Sequence, residues 1–270
     1  MKPVRLSMPN NINILCIGDI VGRPGREALA KTLDNIKAAH NIDFVIVNGE
    51  NAAGGNGILP KQANEILALG VDVITLGDHV WDKPEIYAYL NESTRMIRPA
   101  NFPDGSPGKG WAVIESAKGI KVGVINLLGR TFMRYNVNCP FKTFDQAVEA
   151  IKQQTSIVVL DMHAETTSEK VAMGHYCDGR ASAVFGTHTH IQTADEKILP
   201  RGTGYITDLG MSGPYDSVIG QNKEKIIQRF LTSMPVKFEV AASQATVHGI
   251  VVSVDTGTGR AKGIVRIQES

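Results

Sequence analysis

Five short apolar runs in this chain each end in a polar segment rich in carboxylate, amide or imidazole groups. Two of them are INILCIGD, ending at Asp19, and DFVIVNGEN, ending at Asn51. The other three open into LGDHVWD (Leu76 to Asp82), VVLDMHAE (Val158 to Glu165) and VFGTHTH (Val184 to His190), which hold four of the seven histidines. Runs of this length, bounded by glycine and polar residues, read as buried strands. Strand ends in an α/β fold converge in space, so five loops distant in sequence can build one site.

The pattern between these runs supports an α/β chain. Strands are expected near Ile12–Ile17, Phe44–Val47 and Val71–Leu76. Helices follow from Pro24 to about Ala39, from Pro60 to Gly70 and over Lys83–Leu90. Proline opens a helix well and glycine closes one, which sets two of those boundaries. Trp111–Ser116 and Lys121–Leu127 read as a hairpin. A helix over Thr143–Gln153, a strand at Ile157–Leu160 and a helix over Ser168–Tyr176 capped by Ser168 come next. A strand at Ala183–Phe185, short strands near 197–199 and 204–206, a helix over Lys223–Phe230 and a last hairpin over 246–267 complete the chain. Alternation in the first half and hairpins in the second argue for two mixed sheets covered by helices. Residues 1–10 read as a loose leader and residues 11–270 as one domain.

With 270 residues, 43% of them hydrophobic, the chain can bury a substantial core. A formal net charge of +1 and the lack of a basic run argue against a long nucleic-acid backbone as primary partner, while leaving a small phosphate ester open. Cys16, Cys139 and Cys177 are odd in number and widely spaced, which suits a reducing compartment; Cys16 reads as a core thiol. No apolar stretch is long enough to span a bilayer, and the expected location is cytoplasmic.

Asp19, Glu50, Asn51, Asp78, His79, His163, His188 and His190 together supply three carboxylates, one amide and four imidazoles. Oxygen and imidazole donors without thiolates suit manganese, iron or zinc. Two adjacent cations need a shared carboxylate, and Glu50 is the best placed. His188 and His190 flank Thr189, so in an extended segment both rings face one side and each can serve one cation. His40, His175 and His248 are assigned structural roles.

These residues resemble the calcineurin-like metallophosphoesterase superfamily, whose pattern is GD, then GD or GE, then GNH, then a lone His, then GHxH. Here they stand as Gly18-Asp19, Gly49-Glu50-Asn51, Gly77-Asp78-His79, His163 and Gly186-Thr187-His188-Thr189-His190. The longer segments IGDIVGRPGREAL, DFVIVNGENAAGGNGI, GVDVITLGDHVWDK and FGTHTHIQTADE are similar to the YmdB-like bacterial branch. The resemblance implies a four-layer α/β/β/α sandwich of two mixed β-sheets flanked by helices. It implies one metal held by Asp19, Glu50, Asn51 and His190, a second held by Glu50, Asp78, His163 and His188, and Glu50 between them. Two divalent or mixed-valence ions, iron or manganese with zinc compatible, 2′,3′-cyclic nucleotides as substrate and a homo-oligomeric assembly are implied as well. One departure from the pattern is plain: Asp78 replaces the asparagine of GNH. The added charge holds cations more tightly and lowers their Lewis acidity. Asp78 is nonetheless expected to coordinate.

The expected chemistry is phosphodiester hydrolysis. A hydroxide shared by the cations attacks phosphorus, and His79, which titrates in the right range, protonates the leaving alkoxide. The alternative for His79 is support of Asp78. Competing readings of the whole chain are a phosphomonoesterase, a short-RNA nuclease, and a metal-stabilised regulatory protein with little catalysis. Ala52-Ala53-Gly54-Gly55 could admit substrate close to the backbone. Arg23 could contact phosphate or pair with an acidic neighbour. Trp81 and Tyr135 suit either base stacking or the core. Asp161 could orient His163 or serve a turn.

Overall fold

The structure is a computed structural model that describes residues 11–270; the leader read over residues 1–10 lies outside the described residues. In chain order the first elements are β1 (Asn11–Ile17), β2 (Asp19–Ile20), α1 (Gly22–His40), β3 (Phe44–Asn48), α2 (Pro60–Ala68), β4 (Val73–Thr75), α3 (Ile86–Glu92) and β5 (Met96–Ile97). Next come β6 (Trp111–Glu115), β7 (Lys121–Leu128), α4 (Pro140–Lys152), β8 (Val158–His163), α5 (Thr167–Cys177) and β9 (Ala183–Thr187). The last are β10 (Lys197–Ile198), β11 (Gly204–Ile206), β12 (Met211–Pro214), α6 (Lys223–Thr232), β13 (Ala245–Asp255) and β14 (Ala261–Glu269).

Two sheets result, both of mixed direction. The first runs β2-β12-β13-β1-β3-β4-β5, with β14 also on β13; β1, β3, β4 and β5 are mutually parallel, and β13 is antiparallel to β1. The second runs β10-β11-β9-β8-β7-β6, with β7, β8, β9 and β11 parallel and the two edges antiparallel.

The period of two along each strand creates the layers. In β1, Ile12, Ile14 and Cys16 face the second sheet, while Leu15 and Ile17 face α1. In β3, Phe44 and Ile46 take the inner side and Val45 and Val47 the helix side. In β7, Val122 and Val124 point inward and Ile125 and Leu127 pack under α4. Three apolar clusters therefore separate four layers, and strands buried on both faces read as unbroken apolar runs. The α/β/β/α sandwich expected from the sequence is the observed architecture.

Three details differ from the sequence reading. Strands β2, β5 and β12 are only two to four residues long, too short for periodicity to mark. Strand β8 continues through Asp161 to His163, because these two share the inward face of Val159 and find polar partners there. Helix α5 is preceded by Thr166, not Ser168, as its N-cap, and Glu169 in its first turn accepts from the Arg130 and Thr131 amides of the loop beyond β7. Cys16 and Cys177 are free and buried, and burial pushes both thiols up. Among the described residues, no helix is long and apolar enough to cross a membrane.

Candidate metal centre

Asp19 opens β2, Glu50 and Asn51 follow β3, Asp78 and His79 follow β4, His163 ends β8, and His188 and His190 follow β9. The first sheet thus delivers the carboxylates and the amide, and the second delivers three imidazoles. All eight candidates from the sequence meet at one end of the sandwich. Arg23 does not take part; it is exposed and pairs with Glu27 at 2.6 Å. Trp81 and Tyr135 pack edge-on against Phe102 in the rim of the core. His248 stacks on Tyr215, and burial pushes it down to about 4.

One cluster joins Glu50, Asp78, His163 and His188, whose ligand atoms lie within 4.8 Å of one another. His163 Nε2 is 3.1 Å from both Glu50 Oε1 and Asp78 Oδ1, and His188 Nδ1 is 3.3 Å from Asp78 Oδ1. The Asp78 carboxylate therefore turns into the cluster. Next to it, His190 Nε2 lies 3.2 Å from the Asn51 amide nitrogen and 3.7 Å from Asp19 Oδ1, and Asn51 Nδ2 reaches Glu50 Oε1 at 3.2 Å. Glu50 stands between the two groups. Gly77 is required here, since a Cβ at that position would fall 2.3 Å from both Glu50 Oε2 and His163 Nε2.

Each ring is oriented by a bond on its outer nitrogen. Thr187 donates to Asp161 Oδ1 at 2.7 Å, so its oxygen accepts from His163 Nδ1 at 2.9 Å and leaves the Nε2 lone pair facing Glu50 and Asp78. His190 Nδ1 donates to the Ile219 carbonyl at 2.9 Å, which leaves Nε2 facing Asp19 and Asn51. His188 Nε2 meets Glu165 at 3.1 Å, which leaves Nδ1 facing Asp78. Such outer bonds fix tautomer and ring angle in metal sites. Asp161 does orient His163, but through Thr187 rather than directly. Thr75 and Asn48 complete its partners, and burial pushes its carboxyl up to about 6.

The segment carrying His188 and His190 is not extended, contrary to the sequence reading. Both residues have positive φ, 97° and 65°. Three bonds impose this conformation: His188 N donates to Asp19 Oδ2 at 3.1 Å, and Thr189 N and Oγ1 donate to Asp208 Oδ2 at 3.3 and 2.7 Å. Backbone strain at such a site persists where the surroundings over-determine it. Asp208 is in turn paired with Lys170 at 2.6 Å, both side chains being fully buried.

The donor set fits metal cations. Asp19, Glu50 and Asp78 are buried, and their ion-pair partners among the described residues are histidines, never lysine or arginine. Buried carboxylates without a compensating cation are costly. Asp19 Oδ1 and Asn51 Oδ1 are buried with no hydrogen-bond partner, two oxygens suited to ligation; a half-turn of the Asn51 amide would aim its oxygen at His190. Burial would raise the Asp78 carboxyl, but the bonds to His163 and His188 hold it well below the usual range. Burial would lower His163, yet Glu50 and Asp78 raise it strongly, as a cation at this place would be welcomed by the same charges.

His79 stands apart. Its amide donates to Glu50 Oε2 at 3.0 Å, while its ring meets Asp82, 2.8 Å from Nδ1. Arg134 holds Asp82 from the other side at 2.7 Å. Burial alone would lower the His79 ring; Glu50, Asp78 and Asp82 outweigh it and raise it. The ring borders a cavity of 560 Å³ that also touches Glu50, Asn51, Gly55, His188 and His190.

The sequence reading did not single out Thr187, Glu165, Asp208, Lys170 or Asp82. Thr187 and Glu165 neighbour ligand candidates in the motifs, a signal that was present; Lys170 and Asp208 carried none.

A carboxylate and imidazole donor cluster at the strand ends of a double-sheet sandwich marks a metallophosphoesterase-type fold. The model of the YmdB-like protein family matches residues 15–267, and the chain belongs to that family. It is 47% identical over 256 residues to the 2′,3′-cyclic-nucleotide 2′-phosphodiesterase of Bacillus subtilis (strain 168), covering 95% of this chain and 96% of that protein. Among solved structures it resembles a novel phosphatase from Mycoplasma pneumoniae, with TM-score 0.89 and 35% identity over 97% of this chain and 95% of that one. It also resembles a hypothetical protein from Thermus thermophilus, with TM-score 0.88 and 41% identity over 96% and 100% of the two chains.

Proposed function

We propose that this chain is a metal-dependent phosphodiesterase of small phosphodiesters, with 2′,3′-cyclic nucleotides as the favoured class. The observation that carries the reading is the ring of inward-facing imidazole nitrogens and buried carboxylates around Glu50, open to a cavity of nucleotide size. The name of the Bacillus subtilis relative supports the substrate class. Residues 11–270 act as one domain, because both sheets contribute to this one site.

Asp19, Glu50, Asn51 and His190 would hold one cation, and Glu50, Asp78, His163 and His188 the other. Manganese, iron and zinc all suit these donors, and the resemblance to the metallophosphoesterases favours iron or manganese. Bound there, a pair of cations supplies an activated water and neutralises charge on the phosphate oxygens. The protein does the rest. Thr187, Glu165 and Ile219 hold the three rings in the ligating orientation. Burial would lower the His79 ring, but Glu50 and Asp78, with Asp82 bonded at Nδ1, raise it, which suits the ring to donate a proton from Nε2 to the departing alkoxide.

Metal content measured beside hydrolysis of 2′,3′-cyclic AMP, a phosphomonoester and a short oligoribonucleotide tests this reading. Two ions per chain with preference for the cyclic diester is the expected result. Preference for the monoester or the oligonucleotide would replace it with the phosphatase or nuclease reading. Two bound ions with no hydrolysis of any of the three would favour the regulatory one.

A further inference from the structure

The cavity over the metal centre has two unlike sides. Its floor is polar: Glu50, Asn51, His79, His188 and His190. Its far wall is Ile226, Arg229 and Phe230 of α6, joined by Phe238 from the strand of chain that returns from that helix. Residues 226, 229 and 230 follow helical spacing, so one face of α6 looks into the cavity. Phe230 is 80% exposed and Phe238 48% exposed. Arg229 lies over the Phe238 ring, 5.0 Å from its centroid, a cation–π contact that braces one face of the ring.

This wall is fixed relative to the floor. The Ile219 carbonyl at its base accepts from His190 Nδ1. The segment that carries α6 is closed on itself, with Ala241 N donating to Gly220 O at 2.9 Å and Asn222 N to Glu239 O at 2.8 Å. Asn222 caps the helix by accepting from Lys225 N at 3.0 Å. Val240 lies where a side chain on Gly55 would fall, so the segment also abuts the glycine loop after β3. An aromatic surface held at a set position above a phosphate-directed floor suits a ligand with a phosphate at one end and a flat ring at the other.

We propose that the α6 wall is the nucleobase subsite of this cavity, with Phe230 and Phe238 as stacking surfaces. It rests on the phosphodiesterase reading of the floor and deepens it: this wall holds the base of the nucleotide, and a base-free diester forgoes that contact. Every base has a π-face, so this wall selects for a base without selecting among bases.

The test is titration calorimetry on the manganese-loaded full chain with adenosine 3′-monophosphate and with inorganic phosphate. It is paired with KM and kcat for 2′,3′-cyclic AMP and for glycerol 1,2-cyclic phosphate. Phe230→Ala and Phe238→Ala, both at exposed positions, should each weaken binding of the nucleotide by about ten-fold, in line with the loss of one stacking contact. Both should leave inorganic phosphate and glycerol cyclic phosphate unchanged. Phe230→Trp should restore nucleotide binding. Equal binding of both ligands by wild type and variants overturns the proposal, as does parallel loss of both. A changed sedimentation coefficient in the variants with nucleotide binding intact overturns it too, and makes this face a subunit contact. Base-dependent binding without hydrolysis would remove the phosphodiesterase reading alone; hydrolysis without base dependence would remove this inference alone.

Discussion

The two sheets furnish the centre in different ways. The first sheet supplies acids, two of which are held by main-chain amides: Glu50 Oε2 accepts from His79 N, and Asp19 Oδ2 from His188 N. The second sheet supplies imidazoles held by side chains and loops: Asp161 through Thr187 for His163, Glu165 for His188, and Lys170 through Asp208 and Thr189 for the turn between His188 and His190. Amide-held acids depend on the fold as a whole. Ring-held donors depend on particular side chains, so single substitutions there should separate ring positioning from folding.

The largest effect should come where this support is buried and charged. Lys170→Met leaves Asp208 buried without its partner and should cost about 3–5 kcal/mol of stability in thermal or urea unfolding. A loss below about 1 kcal/mol would mean that the pair does not anchor the histidine turn. On the acid side, Glu50→Gln removes the shared carboxylate. It should bring metal content below two ions per chain and lower kcat/KM by about three orders of magnitude, with the chain still folded. Two ions retained by this variant would move the bridge elsewhere.

His79→Gln sharpens the comparison, because His79 is joined to the acid side by its amide and to the cavity by its ring. It should keep both metals and lose about 10²–10³-fold in kcat on cyclic nucleotides. A p-nitrophenyl ester, whose leaving group needs no proton, should be affected far less. Equal losses on both substrates would assign His79 to structure. Thr187→Val removes the hydroxyl between Asp161 and His163, and metal affinity by competition with a chelator should fall about 10–100-fold. An unchanged affinity would show that β-strand register alone positions His163.

The smallest effect concerns His248 on β13, away from the rings of the centre. Burial depresses this imidazole to about 4, so between its ordinary value of 6.5 and about 4 the unfolded chain binds more protons than the folded one. Its contribution is complete above about pH 6.5 and is lost as pH falls toward 4. His248→Gln should flatten that part of the stability–pH curve; an unaltered slope would assign acid sensitivity to other groups.

The sequence made the strand ends legible because apolar runs buried on both faces stop where polar groups are needed. Asp19, Glu50, Asn51, Asp78, His163, His188 and His190 could thus be named without coordinates. What holds them could not. Thr187 looks like a spacer until β8 and β9 are placed in register, with His163 opposite Thr187. Lys170 and Asp208 are far apart in sequence and meet only under the second sheet. The extended reading of His188-Thr189-His190 failed because tertiary bonds at Thr189 and His188 override the local preference. The apolar stripe of α6, Ile226, Ile227, Phe230 and Leu231, is visible as helical periodicity, but the pattern alone does not mark what that stripe faces.

The most direct measurement is a crystal structure of the manganese-loaded protein with anomalous scattering at the metal edge. The account predicts two peaks about 3.5–4 Å apart, with Glu50 reaching both, Asp19 and His190 on one, and His163 and His188 on the other. A single peak, or two peaks of which one leaves Asp19 and His190 without an ion, would contradict it.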